Sequence, residues 1–109
     1  MSEVGVVGLC EDGKALLGVA GITVTRDGEN VYATSETSNA VVAFSRDKKT
    51  GILTQLPGIE GCVSEDGTLG ACADGKALVE TRSVLVARNG RHAYVASSTS
   101  DAVSVFGRD

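Results

Sequence analysis

The sequence predicts an all-β protein in which one antiparallel meander is written twice. Three observations carry that reading. Residues 2–47 return as residues 64–109, displaced by about 62 positions without a gap, and about 22 of roughly 46 aligned residues are identical. Every apolar run is about five residues long, which suits a strand and falls short of a helix, and 3.6-residue periodicity is weak. The apolar content is Val, Ala, Leu and Ile, with two Tyr, two Phe and no Trp. Such residues suit sheets stacked closely face to face.

Residues 2–19 are rich in Gly and Asp, carry the turn pair Asp12-Gly13, and read as loop. Strand character begins at residues 20–25 (AGITVT). Asp27-Gly28 follows, then residues 30–35 (NVYATS). Two β-like runs flanking Asp-Gly predict a hairpin, because Gly accepts the positive φ of such turns. The second copy has Asn89-Gly90 at the same place. Asp and Asn both tolerate left-handed backbone, so one turn is specified in two spellings. The polar turn at residues 36–39 (ETSN) is matched by residues 98–101 (STSD), with Asn39 and Asp101 expected to close Asx-type turns on their own backbone. Residues 40–45 (AVVAFS) and 102–106 (AVSVF) are third strands. A fourth strand, residues 52–56 (ILTQL), occurs once and is stopped by Pro57-Gly58.

The second and third strands are apolar on both alternations: Val31 and Ala33 against Tyr32, Val41 and Ala43 against Val42 and Phe44. A strand with one wet face alternates apolar and polar, so these are expected to be covered on both sides. A repeated four-stranded meander covered on both sides is a β-propeller blade between two others. A β-sandwich also explains the short strands, but not the repetition of strands and loops together. The chain is one unit, 1–109: copy one at 2–47, a fourth strand and loop at 48–63, copy two at 64–109.

Net charge is −4, which argues against a nucleic-acid footprint with its basic face. No apolar run approaches the roughly 20 residues of a membrane span. Residues 1–9 lack the basic start and apolar core of a leader peptide. No membrane partner is expected, and localisation stays open, a secreted or cell-surface parent included.

Three cysteines are present. Cys10 and Cys72 are repeat-equivalent, and the equivalent of Cys62 would precede residue 1, as if the chain began inside a repeat unit. Cys62 and Cys72 flank a Gly-rich polar loop that needs a function or a constraint, so they are expected to form a disulfide. Cys10 is then free or paired with another chain. Three reduced thiols in a cytosolic protein is the rival reading.

Candidate sites are sparse. Glu11, Asp12, Glu65, Asp66 and Asp74 gather acid near the loop, but their spacing misses the twelve-residue calcium motif, and Asp-Gly pairs are ordinary turn chemistry. No metal and no cofactor are expected. His92, the lone histidine, has Asn30 as its repeat equivalent, so no repeated base is implied. Ser97, Ser98, Thr99 and Ser100 read as turn hydroxyls, and no Gly-Xaa-Ser-Xaa-Gly elbow or phosphate loop occurs. No catalytic residue is assigned. Glu80 and Arg82, at the start of an innermost strand, are the ligand-site candidates, with a rim ion pair as the bland alternative.

Val24, Asp27-Gly28, Tyr32, Ser35, Ser38 and Ala40-Val41, with their counterparts Val86, Asn89-Gly90, Tyr94, Ser97, Ser100 and Ala102-Val103, form a pattern that resembles the repeat of lactonase-like, YVTN-type bacterial β-propellers. The segment GCVSEDGTLGACADGKAL looks like the long loop between blades in a subset of those repeats. The resemblance implies the fold, and for activity either hydrolysis of a sugar lactone or binding. Family members close about seven blades, so fewer than two suggests an excised or engineered fragment. The favoured reading is a structural module without catalysis. It closes into a homo-oligomeric ring of three chains, with two and four as the other closures. Val4, Val6, Val7 and Leu9 make residues 3–9 strand-like, an expected outer strand for a neighbouring chain that locks the ring.

Overall fold

Two largely antiparallel sheets pack face to face in the computed structural model, which describes residues 18–64, 72–75 and 78–108. The first sheet runs β1 (Val19–Val24), β2 (Asn30–Ser35) and β3 (Ala40–Arg46). Its remaining strands are β4 (Leu53–Gln55), β5 (Cys62–Ser64) and β6 (Ala73–Asp74). The second sheet is β7 (Thr81–Val86), β8 (His92–Ser97) and β9 (Ala102–Gly107), in that order. No helix among the described residues is long and apolar enough to cross a membrane. The strand-like stretch Val4–Leu9, Cys10, and the acids Glu11, Asp12, Glu65 and Asp66 lie outside the described residues.

The two hairpins form where the Asp-Gly and Asn-Gly pairs place them. Gly28 has φ 77° and Gly90 φ 75°. Thr25 accepts from the Asn30 amide through Oγ1 at 3.1 Å and donates the same hydroxyl to Asp27 Oδ1 at 2.6 Å. Asp27 also accepts from Glu29 N at 2.9 Å, as Asn89 Oδ1 does from Arg91 N at 2.9 Å. The Thr25 hydroxyl and then the Glu29 amide hold the Asp27 carboxyl below the ordinary aspartate range. Gly28→Val puts a β-branched residue at positive φ and is expected to cost about 1 kcal/mol or more. Urea unfolding checks this, and an unchanged midpoint would remove the positive-φ requirement.

The fourth-strand position differs from expectation. Residues 52–56 are the expected fourth strand, but β4 is three residues long and pairs with Phe44–Arg46 of β3. The chain then turns through the 3-10 segment Gly58–Gly61, and β5 pairs with Ala40–Val42, the other half of β3. Pro57 explains the break: it has no N–H for the ladder, so one continuous strand cannot pass it. β6 joins β5 in parallel.

Strand alternation sorts the core. Val31, Ala33, Val42 and Phe44 face one side of the first sheet and cluster with Cys62 and Cys72, whose sulfurs are bonded. Val41 faces the other side and packs with Tyr32 and Val63 against Val84, Ala93, Val95 and Phe106 of the second sheet. The sheets come closest at their inner strands, where a Cβ on Gly21 would lie 2.7 Å from Arg82 O. Further out they diverge, leaving a cleft of about 470 Å³ between Val41, Leu56 and Val63 on one side and Val95, Phe106 and Arg108 on the other.

Candidate functional site

The left-handed backbone expected at Asn39 and Asp101 is present, with φ 53° and 50°. The side chain of Asn39, expected to close on its own turn, crosses to the second sheet. Its Oδ1 accepts from Glu80 N at 2.9 Å. Glu80 itself has φ 56°, and Gly18, 62 positions earlier, has φ 67°. Sheet-to-sheet attachment therefore uses a turn that each half of the chain spells in nearly the same letters.

Glu80 and Arg82 form a rim network. Arg82 Nη1 lies 3.6 Å from Glu36 Oε2, Nη2 lies 4.0 Å from Glu80 Oε2, and Nε donates to Ser98 Oγ at 3.1 Å. Thr99 Oγ1 donates to Glu80. Each charge is answered by a neighbour, so the group fastens β7 to the polar turns at residues 36–39 and 98–101. Exposed pairs of this kind contribute little stability and present no base poised on a nucleophile. His92 is exposed at the head of β8. No cluster of three His, Cys, Asp or Glu able to hold a metal occurs among the described residues.

Residues that sequence reasoning did not single out hold the two sheets together. Thr81, fully buried, shares its hydroxyl hydrogen between Ser35 O at 3.2 Å and Ala40 O at 3.0 Å. Arg108 donates from Nε to Tyr32 Oη at 2.7 Å and from Nη2 to Asn30 Oδ1 at 3.3 Å. Its guanidinium lies 5.3 Å from the Tyr32 ring centroid, and Nη1 donates to Gly90 O. A signal existed for Thr81: its repeat equivalent is Val19, and a hydroxyl replacing an apolar side chain in a core strand needs a partner. No such signal marks Arg108, since Arg46 occupies the same place in the first copy.

The outward face of the second sheet is apolar and exposed, whereas on the first sheet the outward residues Val31, Ala33, Val42 and Phe44 are already buried. On the second sheet Leu85, Tyr94, Val103 and Val105 share a face and are exposed, Leu85 at 66% and Val103 at 69%. On the first sheet Ile22 and Val24 share the opposite outward face, and Ile22 is 64% exposed. A contiguous group of large apolar side chains in water marks an interaction surface.

Comparison with known proteins finds no matching protein-family profile and no match among curated protein sequences. Solved structures do match. The periplasmic gluconolactonase of Pseudomonas aeruginosa superposes with a TM-score of 0.65 at 22% identity, over 96% of this chain and 24% of that one. A candidate 6-phosphogluconolactonase of Bacteroides uniformis gives 0.61 at 19% identity, over 84% and 23%. The hydrazine synthase of Kuenenia stuttgartiensis gives 0.57 at 22%, over 94% and 24%. The chain spans about a quarter of the length of these proteins. At such identities the likeness carries the fold, which is the lactonase-like β-propeller fold.

Proposed function

We propose that this chain is a propeller-building module, about two blades long, that completes its ring with copies of itself and works structurally rather than catalytically. The observation that supports the reading is the exposed apolar face of the second sheet, Leu85, Tyr94, Val103 and Val105, with the exposed Ile22 and Val24 of β1 at the other end of the stack. A propeller needs about four to eight blades, so two to four chains fit, three first. Joining head to tail buries the second-sheet face of every chain against the β1 end of the next when the rotation closes. Light scattering is expected to give about three times the 11.1 kDa of one chain. A folded monomer at every concentration overturns the reading. If residues 3–9 serve as the locking strand, deleting residues 2–9 weakens the assembly.

A second reading is a piece of a lactonase-like hydrolase or a binding module, favoured by the fold shared with a gluconolactonase. Glu80 and Arg82 from each chain would then ring the mouth. Turnover of gluconolactone above the uncatalysed rate, rising with protein concentration, would replace the structural reading with this one.

A further inference from the structure

The cleft between the diverging sheets is built like a small-molecule site. Its volume, about 470 Å³, lies within the range of ligand pockets. The strand ladders give it two ends. Asn30 pairs with Ser45, Tyr32 with Ala43 and Thr34 with Val41, while His92 pairs with Gly107 and Val95 with Ser104. Asn30, Tyr32 and Arg108 therefore stand at one end of the cleft, and Val41, Val63 and Val95 at the other. Phe106 shows why the space stays open. It is the repeat equivalent of Phe44, which is buried in a cluster with Leu53 packed against it. Among the described residues β9 has no ladder partner on its far side, so Phe106 is only half-buried and faces the cleft.

The polar end offers donors to an anion. The acceptors on Arg108, namely Tyr32 Oη, Asn30 Oδ1 and Gly90 O, are all neutral. No carboxylate among the described residues lies within ion-pair distance of it. A guanidinium has five N–H groups, so one on each Nη nitrogen is left over. Tyr32 Oη accepts from Arg108, and its own hydrogen has no acceptor among the described residues. Asp27 feels the Arg108 charge only as a minor cause of its lowered pKa, after its own turn bonds. Arg26 and Arg88 line the neighbouring depression together with Asp27 and Arg108. This rim is therefore positive in a chain whose net charge is −4.

We propose that this cleft binds a straight-chain aliphatic carboxylate, its head on the Tyr32 hydroxyl and the Arg108 guanidinium and its tail between Val41, Val63 and Val95. A planar head with two oxygens matches the donors that remain: a phenol O–H and the free N–H groups of a fork. The tail replaces water against apolar walls that the two sheets leave apart. Asn30 and Tyr32 hold the guanidinium in place before the ligand arrives, so little ordering is left to binding. The site lies within one chain and does not depend on how chains assemble.

Titration calorimetry on the full chain at neutral pH tests this with hexanoate, octanoate and decanoate. One ligand per chain is expected, with affinity rising about fourfold for each added methylene. Decyltrimethylammonium, the same tail with a cationic head, is expected to bind at least about tenfold more weakly than decanoate. Tyr32→Phe keeps the ring, removes the hydroxyl donor, and is expected to weaken decanoate about tenfold. Ala43→Leu fills the cleft from its wall and is expected to abolish binding without lowering the unfolding midpoint. Leu85→Ser, on the outward face, is expected to leave affinity unchanged. Circular dichroism confirms that each variant is folded. No binding of decanoate at millimolar concentration overturns the site, as does equal affinity for the cationic amphiphile. Binding that survives Ala43→Leu but falls with Leu85→Ser places the tail on the outward face and overturns it too. Should Ala43→Leu not fold, wild-type affinity in Tyr32→Phe is sufficient to overturn the proposal.

Discussion

Replacing Cys72 with serine is expected to lower the unfolding free energy by roughly 2–3 kcal/mol, from the chain entropy of a ~10-residue closure. The bond joins Cys62 and Cys72 across a sequence separation of 10. Cys62 lies opposite Val42 in the β3–β5 ladder, and Cys72 immediately precedes β6, which pairs in parallel with β5. The crosslink thus holds together two strands of three and two residues, too short to persist on ladder bonds alone. Both cysteines are buried in the cluster with Val31, Ala33, Val42 and Phe44, so a serine hydroxyl there adds a desolvation cost. Cys62→Ser is expected to match Cys72→Ser, and the double variant to cost little more than either. Urea unfolding with and without reductant separates the crosslink from packing. Equal midpoints for the oxidised and reduced wild type would remove the crosslink from the account of stability.

The second large effect is expected at Gly21. Its φ is ordinary, so the requirement is space. A Cβ there would lie 2.7 Å from Arg82 O, 3.1 Å from Thr34 Oγ1 and 3.2 Å from Ser83 Cα. Two of those atoms are backbone and cannot rotate away, so Gly21→Val must push the sheets apart where they are closest. The cost is expected to be about 1–3 kcal/mol. The displacement should also loosen the Thr81 hydroxyl from Ser35 O and Ala40 O. Amide exchange would show it as faster opening at β1 and β7. A Gly21→Val protein as stable as wild type would mean the sheets do not meet there.

Much of the chain was legible because its information is local. The hairpins follow from which residues accept positive φ at Gly28 and Gly90, and the strands from apolar runs of strand length. The Cys62–Cys72 pairing followed from a loop that nothing else could order. Expectation failed at the fourth strand, where Pro57 ended residues 52–56 as foreseen but the place beside β3 was finished by β5. Ladder competition between two short segments depends on where the loop returns, and periodicity does not record that.

By itself the sequence determined the three strands of each meander, the turns between them, the left-handed backbone at Gly28, Asn39, Gly90 and Asp101, and the repetition, since φ preferences and side-chain alternation act over a few residues. The tertiary structure alone decided that Asn39 reaches Glu80, that Thr81 bonds to Ser35 and Ala40, and that Arg108 clasps Tyr32. These partners lie 41 to 76 residues apart along the chain. A donor's choice among distant acceptors is settled only when packing sets the distance and angle between sheets.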